Sequence, residues 1–154
     1  MGTQATKVVF DTNVFVSGLL WQGKIGELFD LVRNGVIAVC ISRDILAEFE
    51  RVLAYPKFVS QLAAIHKTPQ EVIDDFLEIA EYYVAEKLPT TVIFNDPSDD
   101  MFLACALTAG ARFIISGDKH LISLKYFHGV SILSPAQFLK IFRQHEKAKK
   151  IQGY

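Results

Sequence analysis

Short apolar runs alternate along this chain with longer segments whose apolar positions recur at helical spacing, the two periods that separate strands from helices. Lys7-Val-Val-Phe-Asp11 is β-branched and aromatic and reads as a buried strand over 7–11. Residues 13–20 and 24–34 read as helices divided near Gly23, with Asn34-Gly35 as a stop before a strand over 36–41. Ser42 caps a helix of about a dozen residues in which Ile45, Phe49, Val52 and Leu53 share a face, until Tyr55-Pro56 ends it. A helical stretch over 57–65 follows. Thr68-Pro69-Gln70-Glu71 is a capping box with proline at the first helical position. It opens a helix striped by Val72, Phe76, Ile79, Ala80 and Tyr83, with Glu71, Asp74, Glu78 and Glu81 on its solvated side. Val92-Ile-Phe94 reads as a short strand, and Asn95-Asp96-Pro97-Ser98 as a turn into a helix over 99–109 that is apolar nearly all round. A strand over 112–116, a short helix over 119–126, a strand over 130–133 and a final helix opened by Ser134-Pro135 complete the pattern.

Strands alternating with helices predict an α/β domain with a mainly parallel sheet and right-handed crossovers. The strands are continuous apolar runs, as strands covered on both faces are. The helices between 43 and 83 break the alternation and are expected to form a lobe or clip beside the sheet. With 154 residues, 51% of them hydrophobic, the chain has material for one core and little for a second. We therefore expect a single domain over 1–144 and a basic, flexible tail over 145–154, where the composition turns polar after Gln144. The longest apolar stretch, Val14 to Trp21, is interrupted by Ser17 and Gly18 and is too short for a bilayer. Neither a membrane span nor a signal peptide is expected. Cys40 and Cys105 sit inside apolar segments without motif spacing, which predicts buried thiols in a reducing compartment.

Four carboxylates change the picture. Asp11 closes the first strand, and Asp118 closes Arg112-Phe-Ile-Ile-Ser-Gly-Asp118; in open α/β sheets ligands bind outside the carboxyl ends of the strands. Thr12, Asn13 and Ser116 are short polar neighbours able to steady these acids. The alternative for each is a plain structural role, Asp11 or Asn13 as a helix cap and Asp118 as a turn residue. Glu48 falls at about −60° from Ile45 on its helix, against about +40° for Phe49 and −20° for Val52, so it borders the buried stripe. No basic residue is its obvious partner, which favours a metal or water network over a structural ion pair. Asp96, Asp99 and Asp100 crowd one helix entrance, where capping accounts for at least one of them and periodicity does not choose among them. Gathered in one cleft, acids of this kind need a compensating cation. The formal charge of −1 from 16 basic and 17 acidic residues speaks against a nucleic-acid partner, yet setting four metal-binding acids aside turns it to +3.

Phe10-Asp11-Thr12-Asn13, the helical Glu48, Asp96-Pro-Ser-Asp-Asp100-Met-Phe-Leu-Ala104 and Ser116-Gly-Asp118 resemble, in order, the four acidic motifs of PIN-domain ribonucleases. The likeness is nearest to the small prokaryotic PIN proteins of VapC type that act as toxins of toxin-antitoxin pairs. The resemblance implies a three-layer α/β/α sandwich and a Mg²⁺- or Mn²⁺-dependent endoribonuclease, in keeping with an oxygen-only site that lacks a histidine or cysteine cluster. It implies Asp11, Glu48, Asp100 and Asp118 as the catalytic and metal-binding acids, with Asp99 competing with Asp100, and Thr12, Asn13 and Ser116 in support. RNA as substrate, an antitoxin protein as partner, a homodimer or higher oligomer and a cytoplasmic location follow from the same likeness. The substrate is expected to be single-stranded or unpaired, with Arg43, Lys119, His120 or Lys125 meeting flanking phosphates. Two rivals remain. A strand ending in Phe-Asp-Thr-Asn also resembles the nucleophile strand of haloacid-dehalogenase-type phosphatases, in which Asp11 would attack phosphorus; that reading calls for a second aspartate soon after Asp118 and leaves Glu48 idle. The other rival is a non-catalytic PIN scaffold that binds RNA or a protein.

Overall fold

The computed structural model describes residues 5–20, 24–89, 91, 92 and 97–151. Five strands pair in parallel and a sixth is antiparallel: β1 (Thr6–Phe10), β2 (Ile37–Ser42), β3 (Ala80–Tyr83), β4 (Phe113–Ile115), β5 (Tyr126–Phe127) and β6 (Val130–Leu133), in the order β3-β2-β1-β4-β6-β5. Helices flank the sheet: α1 (Thr12–Leu20), α2 (Lys24–Arg33), α3 (Arg43–Leu53), α4 (Pro56–Ala63), α5 (Pro69–Ile79), α6 (Asp100–Ala109), α7 (Lys119–Leu124) and α8 (Pro135–Ile151). This is the mostly parallel α/β architecture that the alternating pattern predicts.

The caps form as expected. Ser42 accepts the amide of Ile45 to start α3, Thr68 accepts that of Glu71 to start α5, and Gly35 and Gly110 take positive φ at the ends of α2 and α6, a conformation that glycine adopts without the penalty of a Cβ. The apolar helix α6 is buried at Phe102, Leu103, Ala104, Cys105, Ala106 and Ala109 and packs across β1, β2, β3 and β4. The stripes of α1, α3 and α5 meet in an aromatic cluster: Phe15 stacks on Phe49 at 3.9 Å, and Phe76 meets Phe15 edge-on at 4.8 Å. Cys40 and Cys105 are buried, and burial pushes their thiols up to about 12 and about 11.

Three expectations are corrected. The helical stripe read through Ala80 and Tyr83 stops at Ile79, and Ala80–Tyr83 become β3. The outer edge of β2 has ladder groups to satisfy, and pairing Val39 with Ala80 through Ser42 with Tyr83 satisfies them. The helix read to 126 ends at Leu124, because Lys125 takes a φ of 62° and Tyr126–Phe127 pair with β6. The final helix does not fray after Gln144 but continues to Ile151. The strand expected over 92–94 lies, apart from Val92, outside the described residues, as do Asn95 and Asp96. No helix among the described residues is long and apolar enough to cross a membrane.

Candidate active site

The strand order reverses direction between β1 and β4, since β2 and β3 lie on one side of β1 and all later strands on the other. A crevice opens at the carboxyl ends of strands on either side of such a switch point, and the chain places Asp11 and Ser116-Gly117-Asp118 there. Asp11 is 2% exposed. Its Oδ1 accepts the amide of Val14 at 2.8 Å, and its Oδ2 accepts the hydroxyl of Ser116 and the amide of Gly117 at 3.1 Å. The capping role and the buried role are therefore both filled: Asp11 starts α1 and ties it across the crevice to the end of β4. Oδ1 carries one hydrogen bond here and retains an acceptor position. Burial pushes the Asp11 carboxyl above the usual carboxylate range; the three hydrogen bonds pull it down, and the charge of Asp118 pushes it up again.

Ser116 is fully buried and works in both directions, donating to Asp11 and accepting the amide of Asp118 at 2.9 Å. Asp118 is half-buried, and its Oδ1 accepts the amide of His120 at 2.9 Å, so it caps α7. Gly117 contributes its amide, not an unusual conformation: its φ lies outside the positive range, and a Cβ built there would meet only Asn13, at 3.9 Å.

Glu48 lies where its helical phase places it, at the border of the buried stripe, its side chain 23% exposed. Its partner is Arg51, three residues on, whose guanidinium donates to both carboxylate oxygens at 2.6 and 3.3 Å and also to the hydroxyl of Tyr55. The ion-pair alternative is thus realised, by a residue one helical turn away, and Glu48 holds the Arg51 guanidinium charged.

The two adjacent aspartates part company. Asp99 ends a 3₁₀ turn (Pro97–Asp99), takes helical φ and ψ at the start of α6 and makes no side-chain capping bond. Its neighbour Asp100 accepts the amide of Val92 at 2.9 Å on Oδ2. A cavity of about 580 Å³ is lined by Thr12, Asn13, Glu48, Asp99 and Asp118, whereas Asp100 lines an adjoining cavity of about 470 Å³ with Ser42 and Asp44. Ser98 stands in the walls of both.

The donors around the larger cavity are all oxygen, a set suited to hard divalent cations. They surround the space without converging: among the described residues, no three of these acids stand as a ready-made cation cage. The lining also holds Arg51, Tyr55, Lys57, Phe58 and Gln61, none of which the motif reading singled out. Their signal in the sequence was the Tyr55-Pro56 break, read only as a helix end. Arg43, Lys119, His120 and Lys125, the cations expected beside the site, do not line this cavity.

Comparison with known proteins bears on the whole arrangement. The sequence model of the PIN domain matches residues 7–120, a stretch that contains Asp11, Glu48, Asp99, Asp100 and Asp118. Curated proteins yield no match. Among solved structures, a chain from the crystal structure of VapBC2 from Rickettsia felis bound to a DNA fragment from their promoter shares the fold, with a TM-score of 0.56 and 17% identity over 82% of this chain and 97% of that one. With a family match across most of its length, the chain belongs to the PIN domain family.

Proposed function

We propose that this protein is a Mg²⁺- or Mn²⁺-dependent endoribonuclease, hydrolysing phosphodiester bonds of single-stranded or unpaired RNA, and that it serves in the cytoplasm as the toxin of a toxin-antitoxin pair. The observation that carries the nuclease reading is the buried Asp11, locked by three donors next to Thr12 and tied through Ser116 to Asp118, both of which line a cavity with further carboxylates. PIN domains are generally nucleases that use divalent ions. The toxin reading, the antitoxin partner and self-association rest on the likeness of the acidic motifs to VapC-type PIN proteins, and the fold shared with a chain of VapBC2 agrees with it.

Asp11 and Asp118 would hold the ion, with Asp99 or Asp100 as a third ligand and Glu48 at the rim. A bound Mg²⁺ or Mn²⁺ supplies Lewis acidity toward the phosphodiester and lowers the pKa of water. The protein's own part is to fix and charge the carboxylates. Ser116 and Gly117 keep Oδ2 of Asp11 from turning, and Val14 keeps Oδ1 in place. Burial opposes the charge of Asp11, and its three hydrogen bonds favour it. Thr12 and Asn13 line the cavity with Glu48, Asp99 and Asp118 and offer hydrogen bonds to the substrate. Glu48, held by Arg51, can accept a hydrogen bond from attacking water.

The test incubates the protein with mixed single-stranded RNA in Mg²⁺, in Mn²⁺ and in EDTA, beside Asp11→Asn and a phosphomonoester substrate. Cleavage of RNA that needs the metal and falls at least about 100-fold in Asp11→Asn is expected. Turnover of the phosphomonoester alone would restore the covalent phosphatase. Metal binding without cleavage of any RNA would favour the binding scaffold.

A further inference from the structure

An RNA strand entering the cavity meets the carboxylates Glu48, Asp99 and Asp118, so other residues of the lining must supply both its counter-charge and its grip. These residues come from the end of α3 and the start of α4, next to Glu48. Tyr55 stands between these helices and is 43% exposed, although it is a large aromatic residue. Its backbone is held extended at φ −63° and ψ 138° before Pro56, and its carbonyl accepts the amides of Phe58 at 2.9 Å and Val59 at 3.0 Å. Arg51 fastens the other end: the guanidinium donates to the Tyr55 hydroxyl, and its carbon lies 5.5 Å from the ring centroid. A ring fixed at both ends and still open can stack on a partner with little ordering cost. Arg51 has its charge engaged by Glu48. Lys57 differs: its ammonium lies 5.3 Å from the Phe58 centroid, and it pairs with no carboxylate among the described residues. An aromatic face beside an uncommitted cation is the pairing by which proteins hold single strands, base on ring and phosphate on ammonium.

We infer that Tyr55 and Lys57 form a subsite for one unpaired nucleotide of the RNA strand, its base stacked on Tyr55 and its phosphate against Lys57, which delivers the adjoining phosphodiester to the carboxylates. This rests on the ribonuclease reading and adds the residues that select an unpaired strand. A base inside a duplex is stacked on both faces by its neighbours and offers none to Tyr55.

The experiment uses the full chain and a fluorescein-labelled single-stranded RNA of about 12 nucleotides, within the span such sites cover. Steady-state cleavage is followed in Mn²⁺, and binding by anisotropy in Ca²⁺ across a salt series, for the wild type, Tyr55→Ala, Tyr55→Phe and Lys57→Gln. Tyr55→Ala raises KM and Kd about tenfold, with a smaller change in kcat. Tyr55→Phe loses the Arg51 clamp but keeps the ring, and recovers most of the affinity. Lys57→Gln lowers the slope of log affinity against log salt by about 0.7. Variants with wild-type KM, Kd and salt slope, beside a wild type that cleaves, would overturn the subsite and leave the nuclease standing. A wild type that cleaves no RNA would remove the ribonuclease reading and the subsite with it.

Discussion

Asp11 concentrates the physical tension of this molecule, because the hydrogen bonds that hold its carboxylate oppose the burial that resists its charge. The folded carboxyl has a pKa raised above the ordinary 3.8. Between these two values the native state binds more protons than the unfolded one, so stability without metal falls as pH rises through that window and levels off above it. Denaturant titrations in EDTA from about pH 4 to 7 should show this fall in the wild type and lose it in Asp11→Asn; an equal fall in both would assign it to other groups. Gly117 makes a different prediction. With ordinary φ and room for a Cβ, Gly117→Ala should leave stability unchanged or raise it by up to about 1 kcal/mol, measured by the same denaturation. At this scale much of the site was legible. Asp11, Ser116 and Asp118 stood at strand ends, and phase alone placed Glu48 at the core border. Arg51 was missed because an i,i+3 pair on an exposed turn looks like any surface pair until its other neighbours are known. Asp99 and Asp100 were inseparable by sequence, because a helix apolar nearly all round gives no phase to tell inward from outward.

Elements were read well wherever a cap coincided with a change of period. Ser42, Thr68 and Pro135 start their helices where expected, and Gly35 stops one. The misread stretches are those in which tertiary pairing decides. Ala80 and Tyr83 continue a helical stripe on paper, but the edge of β2 claims them. Residues 145–151 are polar and basic, yet α8 carries on through them with Arg143 paired to Glu27 of α2. The aromatic cluster of α1, α3 and α5 is the seam that fixes Glu48 and the Tyr55 turn relative to Asp11. Phe49→Ala should cost about 3–5 kcal/mol in chemical denaturation. It should also weaken RNA cleavage in conditions where the protein remains folded, since α3 carries one wall of the cavity. A loss below about 1 kcal/mol would mean that the cluster contributes packing the fold can readily replace.

At the scale of the whole molecule, one sheet with a reversal of strand order collects the ends of β1 and β4 and the starts of α1, α6 and α7 around a single crevice. A chain of formal charge −1 can take an anionic substrate at that crevice if bound cations offset its acids. Without them, the carboxylates lining the cavity repel phosphate. The central claim is therefore that these carboxylates hold the ion on which cleavage depends. Calorimetric titration of the protein with Mn²⁺ tests it most directly, comparing the wild type with Asp118→Asn, Asp99→Asn and Asp100→Asn, each shown folded by its melting curve. Saturable binding that is lost or weakened at least about tenfold in Asp118→Asn and in one of the two neighbouring variants is predicted. A wild type that takes up no Mn²⁺, or an Asp118→Asn variant that binds it as tightly as the wild type, would contradict the claim.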